Sequence, residues 1–303
     1  LAILGSTARL MEVVRGELVA VREQYADARR SEILAERLDL RHEDLIADQD
    51  LVVTLSHEGY IKAQPVAEYR AQRRGGRGRT AARTRDEDFI EQLFAARAHD
   101  TLLCFTSAGK VHWVKVYELP QGSAAGRGKP VVNLLSLSEG ERLSAVLPVR
   151  TFDPGRYVVF ATRRGLIKKT ALVEYSRPRS AGIIAIDLLD GDALVGVQLT
   201  GGNDDLMLFT DDGKVLRCAE RAVRPMGRDA RGVKGITLRE DACVIALLVP
   251  HEGDVLVVTA NGYGKRTPIE DFPGHGRGGQ GVISIQTTDR NGAVVGAKPV
   301  HDT

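Results

Sequence analysis

LMLFTDDGKVLR, residues 206–217, is an apolar run, a turn closed by Gly213, and a second run that opens on a basic residue. Two short strand-forming runs joined by a tight glycine-containing turn read as a β-hairpin. The same plan is written four more times, as LVVTLSHEGYIK from Leu51, LLCFTSAGKVHW from Leu102, VVFATRRGLIKKT from Val158 and VLVVTANGYGKRT from Val255. The turn glycines Gly59, Gly109, Gly165, Gly213 and Gly262 stand 50, 56, 48 and 49 residues apart. A second half follows each hairpin: VVNLLSLSEGERLSAVLPV from Val131, GIIAIDLLDGDALVGVQL from Gly182, GITLREDACVIALLV from Gly235 and GVISIQTTDRNGAVVGAKPV from Gly281. Each has two strands flanking a turn; the first repeat is looser, with DFIEQLFAARA from Asp88. Four strands per ~50 residues is the period of propeller-type blades. The expectation is an all-β domain over residues 51–303 with about five four-stranded blades.

The first 50 residues have a different texture. Leu10, Val13, Val14, Leu18 and Val21 fall on one stripe of a helix running from Thr7 to about residue 30, with Ser6 or Thr7 available to cap it. One amphipathic helix cannot bury its stripe alone, so it needs a partner. Residues 31–50 read as a polar, acidic connection. Charge divides the same way: residues 1–50 hold 7 Lys+Arg against 11 Asp+Glu, leaving 35 against 29 for residues 51–303. The net charge of +2 therefore hides a basic excess in the larger part.

That excess is concentrated between the halves of the repeats. AQRRGGRGRTAARTR, residues 71–85, is the densest stretch: with Arg70 it gathers seven arginines (Arg70, Arg73, Arg74, Arg77, Arg79, Arg83, Arg85), no acid, and Gly75, Gly76 and Gly78. Arginine stays charged and its planar fork meets phosphate oxygens bidentately, while glycine lets the main chain come close. Equivalent loops are GSAAGRGKP at 122–130, SRPRSAG at 176–182, RPMGRDARGVKG at 224–235 and PGHGRGGQG at 273–281. Equivalent loops of a repeat fold fall on one side, and the local field matters more for binding than net charge. The candidate phosphate-binding residues are Gln72, Arg73, Arg74, Gly75, Gly76, Arg77, Gly78, Arg79, Arg83 and Arg85, then Arg127, Lys129, Arg177, Arg179, Arg228, Arg231, Lys234 and Arg277. Lys265 and Arg266, on the last hairpin, complete the set.

QRRGGRG at 72–78 also resembles, residue for residue, the seven-residue box of the DNA gyrase A C-terminal domain family. The resemblance extends along the chain: an end-of-core helix and connector over 1–50, then the repeats over 51–303. It implies a β-pinwheel, a propeller-like disc or open spiral whose neighbouring blades exchange strands, preceded by an α-helical segment. It implies duplex DNA as the partner, wrapped around a basic rim so that an ATP-dependent type II topoisomerase introduces negative supercoils. The gyrase A core and gyrase B would be protein partners in a heterotetramer in the bacterial cytoplasm, at the nucleoid. The cleaving tyrosine, ATP and Mg2+ would belong to other parts of that holoenzyme, leaving this chain without a cofactor or catalytic residue, and monomeric on its own. Family members commonly have six repeats, whereas five are counted here.

Other classes fit less well. Cys104, Cys218 and Cys243 have no metal-ligand spacing and read as small core side chains, and the seven histidines do not cluster. GHGRGG at 274–279 satisfies G-x-G-x-x-G, but the strand-like VISIQTT follows it where a dinucleotide site needs a helix. Asp190 and Asp192 read as turn residues rather than as a carboxylate pair. No apolar run approaches the ~20 residues of a membrane span. A topoisomerase IV-like accessory domain would share the repeats but lack QRRGGRG. A protein-interaction propeller would leave the basic loops unexplained. An RNA binder would need aromatics interleaved with the arginines.

Overall fold

The computed structural model describes residues 5–27, 42–69, 88–123 and 126–301, so the arginine-rich run at 70–85 lies outside the described residues. The chain forms two compact units, Leu1–Leu45 and Ile46–Thr303. In the first, the apolar stripe produces a helix over Thr7–Tyr25, and a 3-10 turn follows at His42–Leu45. Ser6 occupies the N-cap position with extended backbone, but its side chain makes no capping hydrogen bond. No residue of the helix is buried.

In the second unit each hairpin is the middle of a sheet. The pairs are Asp50–Ser56 with Tyr60–Pro65, Thr101–Thr106 with Lys110–Lys115, Tyr157–Thr162 with Leu166–Ala171, Asp205–Thr210 with Lys214–Ala219, and Asp254–Thr259 with Gly264–Pro268. A third strand adds to the free side of the first: Ile90–Arg97, Leu143–Val149, Leu194–Thr200, Val244–Leu248 and Val294–Val300. Every one of these joins carries a bulge near the hairpin turn, between Phe209 and Thr210 for example, which strengthens the local twist.

The fourth strand is borrowed. Lys129–Pro130 pairs with Tyr60–Pro65, Ile183–Ile184 with Lys110–Lys115, Val233–Lys234 with Leu166–Ala171, and Val282–Ile283 with Lys214–Ala219. Each two-residue strand comes from the next repeat. The first four sheets thus have four strands and the fifth has three among the described residues. The sequence reading of two strands around a turn in each second half is corrected accordingly: the strand before the turn is a two-residue piece that completes the preceding blade. It stands at the start of the second half for Ile183–Ile184 and Val282–Ile283, but inside the stretch read as a basic loop for Lys129–Pro130 and Val233–Lys234. The result is a propeller-like arrangement of five blades with strand exchange.

Burial explains the wording of the hairpins. Leu102 and Cys104 pack into one cluster with Leu51, Val53 and Leu55 of the preceding blade, while Leu103 and Phe105 pack with Val158 and Phe160 of the following one. The central strands are therefore buried on both faces, which is why LLCF, VVFA and LMLF are continuous apolar runs rather than alternating ones. In the last blade, Asp254–Thr259 returns to an alternating burial pattern. A hydroxyl closes each of the first four hairpins: Ser56, Thr106, Thr162 and Thr210 accept hydrogen bonds from the amides of Tyr60, Lys110, Leu166 and Lys214 at 3.1, 3.3, 3.2 and 3.0 Å. Asp192 is a turn residue as read, its Oδ1 accepting from the amides of Arg164 and Ala193. GHGRGG leads into the two-residue strand Val282–Ile283 and no helix. Cys104 and Cys218 are buried, and burial pushes their thiols up to about 12 and about 11. Cys243 is only half-buried, its Sγ 3.0 Å from Asp211 Oδ2, so it is not the plain core residue the sequence suggested.

Candidate nucleic-acid interface

The third strands of successive blades lie against one another, Leu143–Val149 with Leu194–Thr200, that with Val244–Leu248, and that with Val294–Val300. They mark the inner side of the blades. The borrowed strands stand at the opposite edge of each sheet, beyond the second strand of the hairpin. A glycine- and arginine-containing loop leads into each borrowed strand, so the described loop residues 122–123 and 126–128, 176–182, 224–232 and 273–281 run along the outer edge.

The structure places Arg127, Lys129, Arg177, Arg179, Arg231, Lys234 and Arg277 on this edge as exposed residues, and Arg228 as half-buried. Arg179 and Arg228, with Lys110, line a groove of about 510 Å³ between the loops of the third and fourth repeats; Glu174 and Asp229 line it too. Several cations already have partners. Arg231 Nε lies 2.6 Å from Asp187 Oδ2, and this hydrogen bond and charge raise the arginine further above its ordinary range. Arg228 Nε is 3.8 Å from Glu174 Oε2. Arg277 donates to the carbonyls of Ala222 and Lys234 at 3.0 and 3.3 Å. Lys265 and Arg266 lie on the strand Gly264–Pro268 rather than in a loop; Lys265 donates to Ser284 O and Arg266 pairs with Asp254. The candidates from Gln72 to Arg85 lie outside the described residues.

Two cations that sequence reasoning passed over sit beneath this edge. Lys62 is 1% exposed, and its Nζ donates to the carbonyls of Ser123 and Gly126 at 3.2 and 2.8 Å. Lys168 is fully buried and donates to the carbonyls of Ala185 and Arg228. Burial lowers both lysines from their ordinary range, Lys168 to about 7. Strand register makes them equivalent: Lys62 faces Thr54 and Lys168 faces Phe160, one residue beyond the turn-proximal pairs. At the same position the second repeat has His112, with Gly182 seated on its ring, and the fourth has Leu216. The signal was a lysine inside a strand, YIKAQ and LIKKT, where a solvated side chain is the ordinary reading.

The next residue along each strand clasps the following blade. Trp113 Nε1 donates to Tyr175 O at 2.8 Å, and Arg217 NH1 donates to Ile269 O and Phe272 O at 2.9 and 3.2 Å. Lys169 Nζ lies 3.4 Å from Glu220 Oε1, both side chains almost fully buried. Among the described residues no three His, Cys, Asp or Glu side chains gather to hold a metal ion, and no helix is long and apolar enough to cross a membrane.

Comparison with known proteins reproduces the repeats one by one. The family described as DNA gyrase C-terminal domain, beta-propeller, matches residues 50–97, 100–150, 156–200, 204–250 and 253–301. The chain belongs to this DNA gyrase C-terminal domain family. It is 56% identical over 299 residues to the DNA gyrase A protein of Salmonella typhimurium, covering 98% of this chain and 34% of that protein. The DNA gyrase A protein of Escherichia coli K12 is 54% identical over 280 residues, 92% of this chain and 32% of its own length. The chain thus spans about a third of these relatives. Among solved structures, the C-terminal domain of DNA topoisomerase IV superposes with a TM-score of 0.71 at 27% identity, covering 85% of this chain and 79% of that one. The DNA gyrase A C-terminal domain does so with a TM-score of 0.69 at 25% identity, covering 84% and 83%. The gyrase-family repeat therefore contains three strands of its own blade and, from the second repeat on, the short strand it lends to the preceding one.

Proposed function

We propose that the blades bind duplex DNA along their outer edge and wrap it. In the full-length protein, wrapping would make ATP-dependent strand passage by DNA gyrase introduce negative supercoils. The observation that carries this reading is the recurrence of an Arg/Lys loop at the same outer edge in four successive repeats, from Arg127 and Lys129 to Arg277. Bending 20–30 bp by 40–90° costs on the order of 1–6 kcal/mol. Several phosphate contacts, each releasing counterions, offset that at moderate salt. The proposed contacts are to phosphates, which carry no sequence information directly, so sequence preference is weak. The box residues Gln72 to Gly78, with Arg79, Arg83 and Arg85, add the densest anchor.

The chain itself carries no cleavage or ATPase chemistry and no cofactor; ATP and Mg2+ act in other parts of a holoenzyme formed with the gyrase A core and gyrase B in the bacterial cytoplasm. A topoisomerase IV-like accessory role is the second reading, favoured by the superposition on that enzyme's domain. QRRGGRG at 72–78 and the identity to DNA gyrase A proteins argue for gyrase. The test is a relaxed nicked circle, bound by the chain, ligated and deproteinised. A shift in linking number that weakens with salt is the expected result. Salt-insensitive binding with no shift would refute wrapping and favour a protein-interaction propeller.

A further inference from the structure

We infer that Lys62 and Lys168, which no nucleic acid can reach, are positioning residues that hold the phosphate-binding loops of the following repeat in place. The inference rests on the DNA-binding reading above. Each lysine stands on the second strand of one blade and donates to at least one main-chain carbonyl of the loop that crosses it from the next repeat; Lys168 joins that loop to a carbonyl of its own repeat. For Lys62 the carbonyls are Ser123 O and Gly126 O, the second on the residue just before Arg127. For Lys168 they are Arg228 O in the loop and Ala185 O, the residue after a borrowed strand.

An ammonium group has three donors and carbonyls are strong acceptors, so a loop carbonyl held on a buried Nζ is fixed in position relative to the strand that carries the lysine. The cations at or next to those carbonyls in the chain are Arg127 and Lys129 in one loop and Arg228 and Arg231 in the other. Among the described residues no carboxylate is bonded to Lys168 Nζ, although Asp229 and Asp187 lie near enough to favour its charged form and Arg228 opposes it. Its partners are main-chain atoms, so its effect falls on loop geometry rather than on a side-chain pair. The other two loops have no such lysine: His112 and Leu216 stand at the equivalent positions. The loop at 273–281 keeps the main-chain tie His275 N to Arg217 O, which the lysine-held loops share as Gly122 N to Ala63 O and Met226 N to Lys169 O, and adds Gly278 N to Gly235 O.

The test is a double-mutant cycle on duplex binding by the whole chain, read as affinity and as log–log salt slope. Arg228→Ala with Arg231→Ala removes two phosphate contacts and lowers the slope by about 1.8, at ~0.9 per phosphate. By the same relation the affinity loss reaches ~30-fold at 0.15 M salt. Lys168→Met leaves every exposed cation in the chain, yet its slope and affinity should fall toward those of the double variant. The triple variant should bind no more weakly than the double. The cycle repeats at the other loop with Lys62→Met against Arg127→Ala and Lys129→Ala. Wild-type slope and affinity in folded Lys→Met variants would overturn the inference, as would losses that multiply in the triple variants. Loss of the β-type circular dichroism in both Lys→Met variants would overturn it too, because the lysines would then hold the fold rather than the loop. If the arginine double variants leave the slope unchanged, the DNA-binding reading of these loops fails instead.

Discussion

Replacing Gly232 by Ala probes the strand exchange that joins the blades. Gly232 has φ +101°, and a Cβ there would stand 2.6 Å from the carbonyl oxygen of Ile167 and 3.0 Å from its carbon. Those atoms are backbone of the preceding blade and have no side-chain freedom with which to give way. Gly140 is the control: its φ is +78°, and a Cβ would meet nothing within 4 Å. Both alanines pay about 1–2 kcal/mol for the left-handed backbone. Only Gly232→Ala must also push the loop off the strand, loosening the pairs Val233↔Ile167 and Lys234↔Leu166. At about 1 kcal/mol per hydrogen bond this adds about 2 kcal/mol. For a unit of this size the extra loss lowers Tm by about 4–8 °C relative to the control. Urea unfolding followed by Trp113, the one tryptophan in the chain, gives the same difference as a free energy. Equal losses for the two variants, within ~0.5 kcal/mol of error, would refute the close crossing at Gly232 and the rigid strand exchange built on it.

Three further outcomes are expected. Glu220→Gln leaves Lys169 without its buried counter-charge and should cost about 3–5 kcal/mol, with less lost when Lys169→Met is added; equal loss in the single and double variants would show that the pair is not the unit. Lys168 falls to about 7 in the fold from an ordinary 10.5, so between those values the unfolded chain holds a proton the folded chain has shed. Stability from this group therefore rises as pH goes from about 7 to about 10 and is lost as pH falls through 7; Lys168→Met should flatten that part of the urea-midpoint profile. Replacing Arg73, Arg74 and Arg77 by Ala should shrink the salt slope of duplex binding by up to about 2.7, at ~0.9 per phosphate, with wrapping lost before binding; an unchanged slope with intact wrapping would make the box an ordinary solvated loop.

The blade period was legible because a hairpin turn writes itself in one glycine and a few strand residues, and five copies at near-constant spacing leave little room for another fold. The borrowed strands were not legible as such. Val233–Lys234 and Lys129–Pro130 are two residues long, and two residues carry no periodicity. Only the glycine before them betrays the crossing, and turn glycines elsewhere look the same. The helix Thr7–Tyr25 was legible from its stripe, yet the Ser6 cap was not made, because an N-cap residue type permits a hydrogen bond without requiring one. The outer-edge arginines were legible as charge, whereas their pairing was not, since Arg231 and Asp187 are separated by 44 residues and meet only through the fold.

That pairing changes what the basic loops can do. A phosphate that takes Arg231 must displace Asp187, and one that takes Arg228 must compete with Glu174. Both carboxylates are about half exposed, at 45% and 51%, so water solvates them once the arginine leaves and the exchange costs little. Without DNA, the same carboxylates neutralise part of the outer edge and reduce repulsion among neighbouring loops. Arg177 and Arg179 have no ion pair among the described residues and stand ready for the first contact. On the proposed DNA-wrapping function, such an edge would meet the polyanion through its unpaired arginines and then recruit the paired ones as the duplex bends along successive blades. Asp187→Asn should therefore tighten duplex binding modestly, by 2- to 5-fold or about 0.4–1 kcal/mol, the range of an exposed ion pair. It should leave the salt slope unchanged, because the number of phosphates engaged does not change. A slope that rose by about 0.9 would mean that Arg231 does not reach phosphate while Asp187 holds it, and the recruitment step would be wrong.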